Sequence, residues 1–409
     1  MTPVTETPRP SRLILFVLIA AGGASLLSTD LYAPSLPHLP GYFGTSAETV
    51  QLTMALNMAA FAVAQLVWGP LSDRYGRRVV FLIGMTAFLF TALGAALSQS
   101  IGHLLAARIL MGASASVEAV IVLAVIGDIY KSEDSAKIYA IYGMIIALVP
   151  AVGPIIGGFV FEWFGWQANF FLLTAIIAAV LALAVMRLPE TLPAGERVAL
   201  RIGSVVSGYA RLLSLRGFVM ISLTLGLALG AIFAFITEAP FLLIDRHGVA
   251  TRHYGLFQGV IVIAFFFGSL LSNRIVSRIG VTRLYGFGVA AASVSGLFML
   301  LAVAGGDTPV TLTAAMSVFA FALGPLFASA PVLAFQQAGD QGRGMSAAML
   351  ATFEMAGAAA GALFVSVAPD GTAWPLAFCV AGASVMILVA GILALRAGRD
   401  RQRASDGRV

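Results

Sequence analysis

GPLSDRYGRRVV, residues 69–80, is the only dense cluster of charge between two long apolar runs in the first hundred residues of the chain. It is too short to be a domain. Between two such runs it reads as a tight hairpin joining two membrane helices. Arg74, Arg77 and Arg78 place it on the cytoplasmic side, because Lys and Arg accumulate in the inner loops of membrane proteins. The side of every other loop follows by alternation.

The composition agrees. Hydrophobic residues make up 59% of the chain and charged residues 11%, with a mean hydropathy of +0.95, whereas soluble domains are roughly a quarter charged. Apolar stretches of about 20 residues, long enough to cross a hydrocarbon core of roughly 30 Å as a helix, recur with short polar breaks. Twelve spans are predicted, at residues 12–34, 50–71, 79–98, 103–126, 137–160, 168–187, 218–242, 253–272, 284–304, 309–334, 345–367 and 374–396. The alternating ten-residue segments of a membrane β-barrel are absent, so the spans are helices that satisfy their own backbone groups. Arg9 and Arg12 precede the first run in the manner of a signal peptide. That run continues to about Pro34 without a convincing cleavage site, which keeps it as the first helix.

A net charge of +5 and a pI near 9.6 raise the idea of an anionic polymer as partner, but the charge sits in alternate loops. Of the 24 Lys and Arg residues, only Arg246 and Arg252 fall on the outer side, and only Arg108 within a span. The remainder lie on the inner side, so both termini are expected in the cytoplasm and the partner is a lipid bilayer, not nucleic acid. Cys379 is the single cysteine, which excludes an intrachain disulfide and a cysteine metal cluster. His38, His103, His247 and His253 lack ligand spacing, and no phosphate-binding Gly-Lys loop is present. No metal, cofactor or catalytic constellation is expected, and energy must come from an ion gradient or from the substrate's own.

Residues 189–217 form the one substantial linker, with Pro189, Glu190, Pro193, Glu196 and four arginines. It divides the spans six and six: a bundle at 1–188, the cytoplasmic linker, a bundle at 218–396 and a cytoplasmic tail at 397–409. GSLLSNRIVSRIGVTR, from Gly268, repeats the opening stretch about 200 residues later, with Asn273-Arg274 where Asp73-Arg74 stood. A degenerate repeat at corresponding positions of two six-helix halves marks a duplicated transporter, with substrate bound near the midplane between them. The predicted fold is therefore all-α, twelve transmembrane helices in two pseudo-symmetric six-helix bundles.

Asp30 stands inside the first span. A carboxylate there is expensive and normally faces a partner or a watery cavity. Arg108 is the only basic residue within a span, and both lie about 6 to 8 Å below the outer boundary at 1.5 Å per residue. The two are expected to pair, either as a fixed ion pair that orients helices or as a proton site in which burial and the arginine pull the carboxyl in opposite directions. In the fifth span Pro150 and Pro154 free backbone carbonyls and bend the helix, while Gly157 and Gly158 let another helix come close. Glu238, Glu354 and Glu118 are further intramembrane carboxylates, open to a role as cation-binding groups, proton sites or hydrogen-bonded structural residues. Asn57, Gln65, Tyr142 and Gln258 are polar groups that could line one cavity, and Phe61, Phe235 and residues 265–267 could supply apolar wall.

The loop pattern Gly69-x-Leu-x-Asp73-Arg74-x-Gly76-Arg77-Arg78 resembles the loop after the second helix of major facilitator superfamily transporters. Asp30, Tyr32, Pro34 and Pro37 look like the first-helix signature of its bicyclomycin and chloramphenicol resistance family of drug:proton antiporters. Arg108 and Gly112 match that family's fourth-helix motif Arg-x-x-Gln-Gly, with Met111 in place of the glutamine, and Gly127-Asp128 stands where relatives commonly carry Arg-Asp. Gly153-Pro154-x-x-Gly157-Gly158 resembles the fifth-helix motif of antiporters as opposed to symporters.

The resemblance implies proton coupling through Asp30 and Arg108, and a substrate cavity to which Tyr32, Asn57, Phe61, Tyr142, Phe235, Glu238, Gln258 and Glu354 are candidates. It also implies a latch between Asp73 and the N-terminus of the eleventh helix, near Met345, when the protein faces outward. The expected function is proton-coupled efflux of small amphipathic drugs of the chloramphenicol and bicyclomycin class across a bacterial inner membrane, by a monomer with protons as coupling ion. The alternatives are a transporter of an endogenous metabolite, such as a nucleoside or amino acid derivative, or a non-transporting membrane receptor on the same fold.

Overall fold

The computed structural model describes residues 12–130, 133–197, 202–339, 343–367 and 371–406. Arg9, Lys131, Arg201 and Arg408, which contribute to the charge pattern, lie outside them. The described chain contains α1 (Arg12–Asp30), the short α2 (Leu39–Phe43), α3 (Ala47–Tyr75), α4 (Arg77–Ala96), α5 (Ile101–Ile129), α6 (Glu133–Phe164) and α7 (Trp166–Arg187). The linker holds α8 (Ile202–Ser214). It is followed by α9 (Arg216–Pro240), α10 (Thr251–Ile279), α11 (Val281–Ala304), α12 (Pro309–Ala338), α13 (Arg343–Val367) and α14 (Trp374–Asp406). Twelve segments among the described residues are long and apolar enough to cross a membrane, making this a multi-pass membrane protein of two six-helix halves.

Most helices run several residues past the predicted spans, because hydropathy ends where the polar residues begin whereas backbone hydrogen bonding continues to a cap. Ser46, Ser100 and Thr308 start α3, α5 and α12 by accepting from the N–H groups of Thr49, His103 and Thr311; these are ordinary N-caps. The helix α14 reaches Asp406, so most of the expected tail continues the last helix, and α8 gives the linker a helix that its reading lacked. The first span differs most. Its α-helix stops at Asp30, and a 3-10 segment, Ala33–His38, leads into α2. Pro34, Pro37 and Pro40 each lack an N–H and disfavour helical geometry in the residue before them, so the α-helix cannot continue through that stretch.

The two halves repeat in their backbone. Gly76 joins α3 to α4 at φ 101°, and Gly280 joins α10 to α11 at φ 81°, a left-handed region that only glycine adopts cheaply. Ser72 and Ser272 each donate to a carbonyl one turn back, those of Gly69 and Gly268. The second hairpin therefore repeats the first with one added helical turn before its glycine. The end of the bundle carrying these hairpins and their arginines is the basic end; the opposite one, with Ser46 and Ser100, is the far end.

Between halves, α3 packs on α13 and α6 packs on α10. Within the second half, α9 lies directly on α13, where Gly226 faces Gly357 and Gly230 faces Gly361 backbone to backbone. Two small-xxx-small pairs of this kind are a membrane helix-packing signal, visible in the sequence and overlooked in its reading.

Candidate functional site

A cavity of about 400 Å³ lies between the halves, within the range of small-molecule sites. Asp30, Asn57, Phe61, Tyr142, Gln258 and Glu354 all line it, together with Glu118 and with Ser25, Thr29, Phe233, Phe327 and Met355, which sequence reasoning did not single out. Tyr32 and Phe235 do not. Tyr32 is 1% exposed, shares a 3.0 Å hydrogen bond with the Thr53 hydroxyl and packs on Phe170. Phe235 is buried in the core, while Phe233 and Ile236 of the same helix reach the cavity, since successive positions on a helix point about 100° apart.

Asp30 and Arg108 are not an ion pair in this structure, which corrects the expected pairing. The Arg108 side chain is fully buried. It donates to the Ser28 carbonyl at 2.7 Å and to the Thr53 carbonyl at 3.4 Å, and its guanidinium lies 4.9 Å from the centre of the Tyr32 ring. Ser28 belongs to the last turn of α1, whose final four carbonyls have no intrahelical partner. A cation there completes the hydrogen bonding and suits the negative end of the helix dipole. Arg108 thus caps the helix that the prolines terminate and holds the turn from which Asp30 projects. Asn57 fixes the same region from α3, donating to the Arg108 carbonyl at 2.7 Å.

The Asp30 side chain is 5% exposed and, among the described residues, has no hydrogen bond or salt bridge; it faces the cavity. Behind it stands Gly153 of α6. A Cβ on Gly153 would lie 2.6 Å from the Asp30 Cβ, and one on Gly157 would collide with the Leu31 backbone. On the other side of the same helix, a Cβ on Gly158 would lie 2.6 Å from the Thr251 carbonyl oxygen of α10. Pro154 sits buried between them. The Gly153, Pro154, Gly157, Gly158 segment is therefore wedged between the end of α1 and the start of α10, touching both halves.

Deeper in the first half, Tyr142 of α6 donates to Glu118 of α5 at 3.2 Å, and Ser25 of α1 is a second neighbour of that carboxylate. Glu354 faces the cavity from α13. Glu238 does not line it. Its carboxylate accepts a 2.5 Å hydrogen bond from Gln51 Nε2 across the halves, with both side chains buried. Three more contacts cross at that far end. His38 meets the Thr251 hydroxyl at 3.1 Å, Arg252 pairs with Glu162 at 3.1 Å, and the Arg252 N–H donates to the same carboxylate. Arg246, the other far-end arginine, pairs with Asp307.

At the basic end, among the described residues, the polar contacts of the charged loop 73–78 stay within the first half and the linker. Asp73 pairs with Arg77 at 2.5 Å, and Arg77 also reaches Asp128 at 3.4 Å. The Arg77 N–H donates to Glu190 at 2.8 Å, and the Glu190 carboxylate packs against Gly76. Arg78 donates to the Val185 carbonyl, and Arg74 lies over the Tyr75 ring. Gly69 rests on Val120 of α5. Tyr209 of α8 donates to the Leu66 carbonyl at 3.3 Å; burial, and then the charge of Asp73, push its phenol above the ordinary range.

Residues 18–362 match the family model described as Major Facilitator Superfamily. A chloramphenicol resistance protein of Pseudomonas aeruginosa is 30% identical over 384 residues, covering 92% of this chain and 89% of that one. A bicyclomycin resistance protein homolog of Haemophilus influenzae is 27% identical, covering 88% of this chain and 90% of its own. Among solved structures, a bacterial homolog of the human lysosomal transporter Spinster, in an inward-facing and unoccupied conformation, superposes with a TM-score of 0.71 at 13% identity. It covers 94% of this chain and 96% of that one.

Proposed function

The chain belongs to the Major Facilitator Superfamily, and from that premise we propose that it exports small amphipathic drugs of the chloramphenicol and bicyclomycin class in exchange for protons, by alternating access. Its family and structural neighbours are membrane transporters, not enzymes. In this reading the basic end faces the cytoplasm of a bacterial inner membrane, in keeping with the excess of arginine there. The present conformation is then the inward-facing one, closed at the far end by the α6–α10 and Gln51–Glu238 contacts.

The observation that carries the reading is the unpartnered Asp30 carboxylate in the cavity wall, backed by the α6 segment that also touches the opposite half. A buried carboxylate without a partner is costly when ionised. Its protonation state therefore changes the stability of whichever arrangement packs α6 against it. A proton that favours one arrangement and a drug that favours the other give reciprocal coupling without direct contact between them. Arg108 serves in this cycle as a positioning residue, fixing the last turn of α1 and with it the position of Asp30.

The test is uptake of labelled chloramphenicol into inverted membrane vesicles, with and without an imposed proton gradient, for wild type and Asp30→Asn. Gradient-stimulated uptake is expected for wild type and its loss to the gradient-free level for Asp30→Asn, at equal expression. Concentrative uptake retained by Asp30→Asn refutes the proton site.

A further inference from the structure

The two halves repeat in their backbone but not in how their basic ends are neutralised. At the start of α4, the third transmembrane helix of the first half, a side chain on Gly76 would strike the Glu190 carboxylate. That carboxylate accepts the Arg77 N–H at 2.8 Å and lies 3.8 Å from the Arg197 guanidinium, while Asp73 and Asp128 hold the Arg77 side chain. The linker thus folds back and supplies the first hairpin with an anion of the chain's own. At the start of α11, the third transmembrane helix of the second half, a side chain on Gly280 would meet nothing within 4 Å. Among the described residues, none of Arg274, Arg278, Arg283, Arg396 and Arg399 pairs with a carboxylate.

Next to the second hairpin is a cavity of about 290 Å³ between α9, α11, α12 and α14, wholly within the second half and separate from the space between the halves. Thr282 enters it from the first turn of α11 and Tyr285 from the second, Gln336 and Gln337 from the end of α12, and Arg399 from α14. No carboxylate lines it. The Tyr285 hydroxyl is fixed by a 3.3 Å hydrogen bond with that of Thr224, and the Gln337 side chain packs over Gly217 at the start of α9. A guanidinium with amides and hydroxyls around it suits an oxyanion, to which arginine presents a planar fork of donors. Basic pockets between the inner ends of membrane helices take anionic headgroups in this way.

We propose that this cavity is an anion site that takes a phosphate ester, which does for the Gly280 hairpin what Glu190 does for the Gly76 hairpin. The headgroup of an anionic phospholipid and a soluble phosphate ester offer the same chemistry. Bound there, the anion ties α14 to α11 and α12. Its contacts all lie within one half, so it stabilises that half in either conformation, and the inference stands whatever the central cavity carries.

The test is the melting temperature of the purified full-length protein in nanodiscs of phosphatidylcholine. One arm adds phosphatidylglycerol to the bilayer, and the other adds soluble glycerol 3-phosphate to the unchanged discs. Wild type is expected to gain about 3 °C or more in at least one arm. A gain confined to phosphatidylglycerol identifies the occupant as lipid, and a gain with glycerol 3-phosphate identifies a soluble ester. Arg399→Gln is expected to lose most of the gain, whereas Arg278→Gln, at the same end but outside the cavity, keeps it. Gln337→Glu is nearly isosteric and gives the second half a carboxylate of its own; it is expected to melt above wild type in the plain discs and to respond to neither arm. No gain in either arm overturns the proposal. So does a gain that survives both Arg399→Gln and Gln337→Glu, and so does one that Arg278→Gln loses equally, which would make it an effect of general surface charge.

Discussion

At the far end, Gly158 lies so near α10 that any side chain on it would strike the Thr251 backbone, and Gln51 reaches across the halves to Glu238. At the basic end, Arg77 is as heavily bonded as any group in the structure, yet its partners Asp73, Asp128 and Glu190 belong to its own half or to the linker. The far end is thus held by contacts between the halves, and the charged loop of the basic end, among the described residues, by contacts within one half and the linker. Contacts that cross must break for the halves to separate there, so their loss shifts the balance between conformations. Contacts that stay within a half are kept in either conformation, and their loss changes stability or shape.

The largest effect is expected where the crossing contact is backbone itself. In Gly158→Leu the new side chain has nowhere to go, since the nearest atoms it would meet are main-chain atoms of Thr251 and Arg252; overpacking of this kind costs about 1–3 kcal/mol or more. That cost falls only on the state with the far end closed. A reporter cysteine at the cavity position Thr29, with Cys379→Ser removing the native thiol, is expected to be labelled from the far side by an impermeant maleimide about tenfold more in Gly158→Leu than in its parent. Drug transport should fall with it. Unchanged labelling means that α6 and α10 do not form the seal.

A smaller effect is expected at Glu238. Its truncation in Glu238→Ala leaves the Gln51 amide buried, at a cost of about 1–3 kcal/mol in the closed state, and labelling at the same reporter should rise about five- to tenfold. Glu238→Gln keeps an acceptor for Gln51 and should stay within about twofold of the parent. If Ala and Gln behave alike, the hydrogen bond is incidental and the far end is held by backbone packing alone.

Much of this architecture was legible before the structure, and the reasons are physical. A membrane imposes span length and loop charge directly on the sequence, so the twelve helices and the duplicated hairpin could be read from Gly69, Asp73 and their counterparts at Gly268 and Asn273. The cavity was half legible. Polarity on an apolar helix pointed to Asn57, Tyr142, Gln258 and Glu354, but facing is decided by 100° steps, and Phe235 misses the cavity that Phe233 and Ile236 line. The Asp30–Arg108 pair failed for another reason. Equal depth in the membrane does not make two side chains neighbours, and the proline-terminated α1 presents open carbonyls that claim the guanidinium first. Nothing in the sequence couples Gln51 to Glu238, 187 residues away, because one contact between separate bundles leaves no local periodicity. The facing Gly226/Gly230 and Gly357/Gly361 pairs were in plain view and needed only the question of which helices must approach closely.

The smallest effect on stability, and the sharpest test of the comparison, is expected at Asp73. Its bond to Arg77 is short but its side chain is 51% exposed, and exposed pairs four residues apart on a helix contribute only about 0.3–0.5 kcal/mol. Arg77 also keeps Asp128 and the Ser72 hydroxyl when Asp73 is neutralised. Asp73→Asn should therefore melt at the same temperature as wild type and leave far-side labelling of the Thr29 reporter unchanged. If the aspartate also meets the positive N-terminal end of α13 when the basic end closes, the substitution removes a crossing contact that the present conformation does not contain. Transport in vesicles should then fall severalfold while the melting temperature holds. Loss of both together would make the loop a structural brace, and loss of neither would leave its arginines to set topology alone.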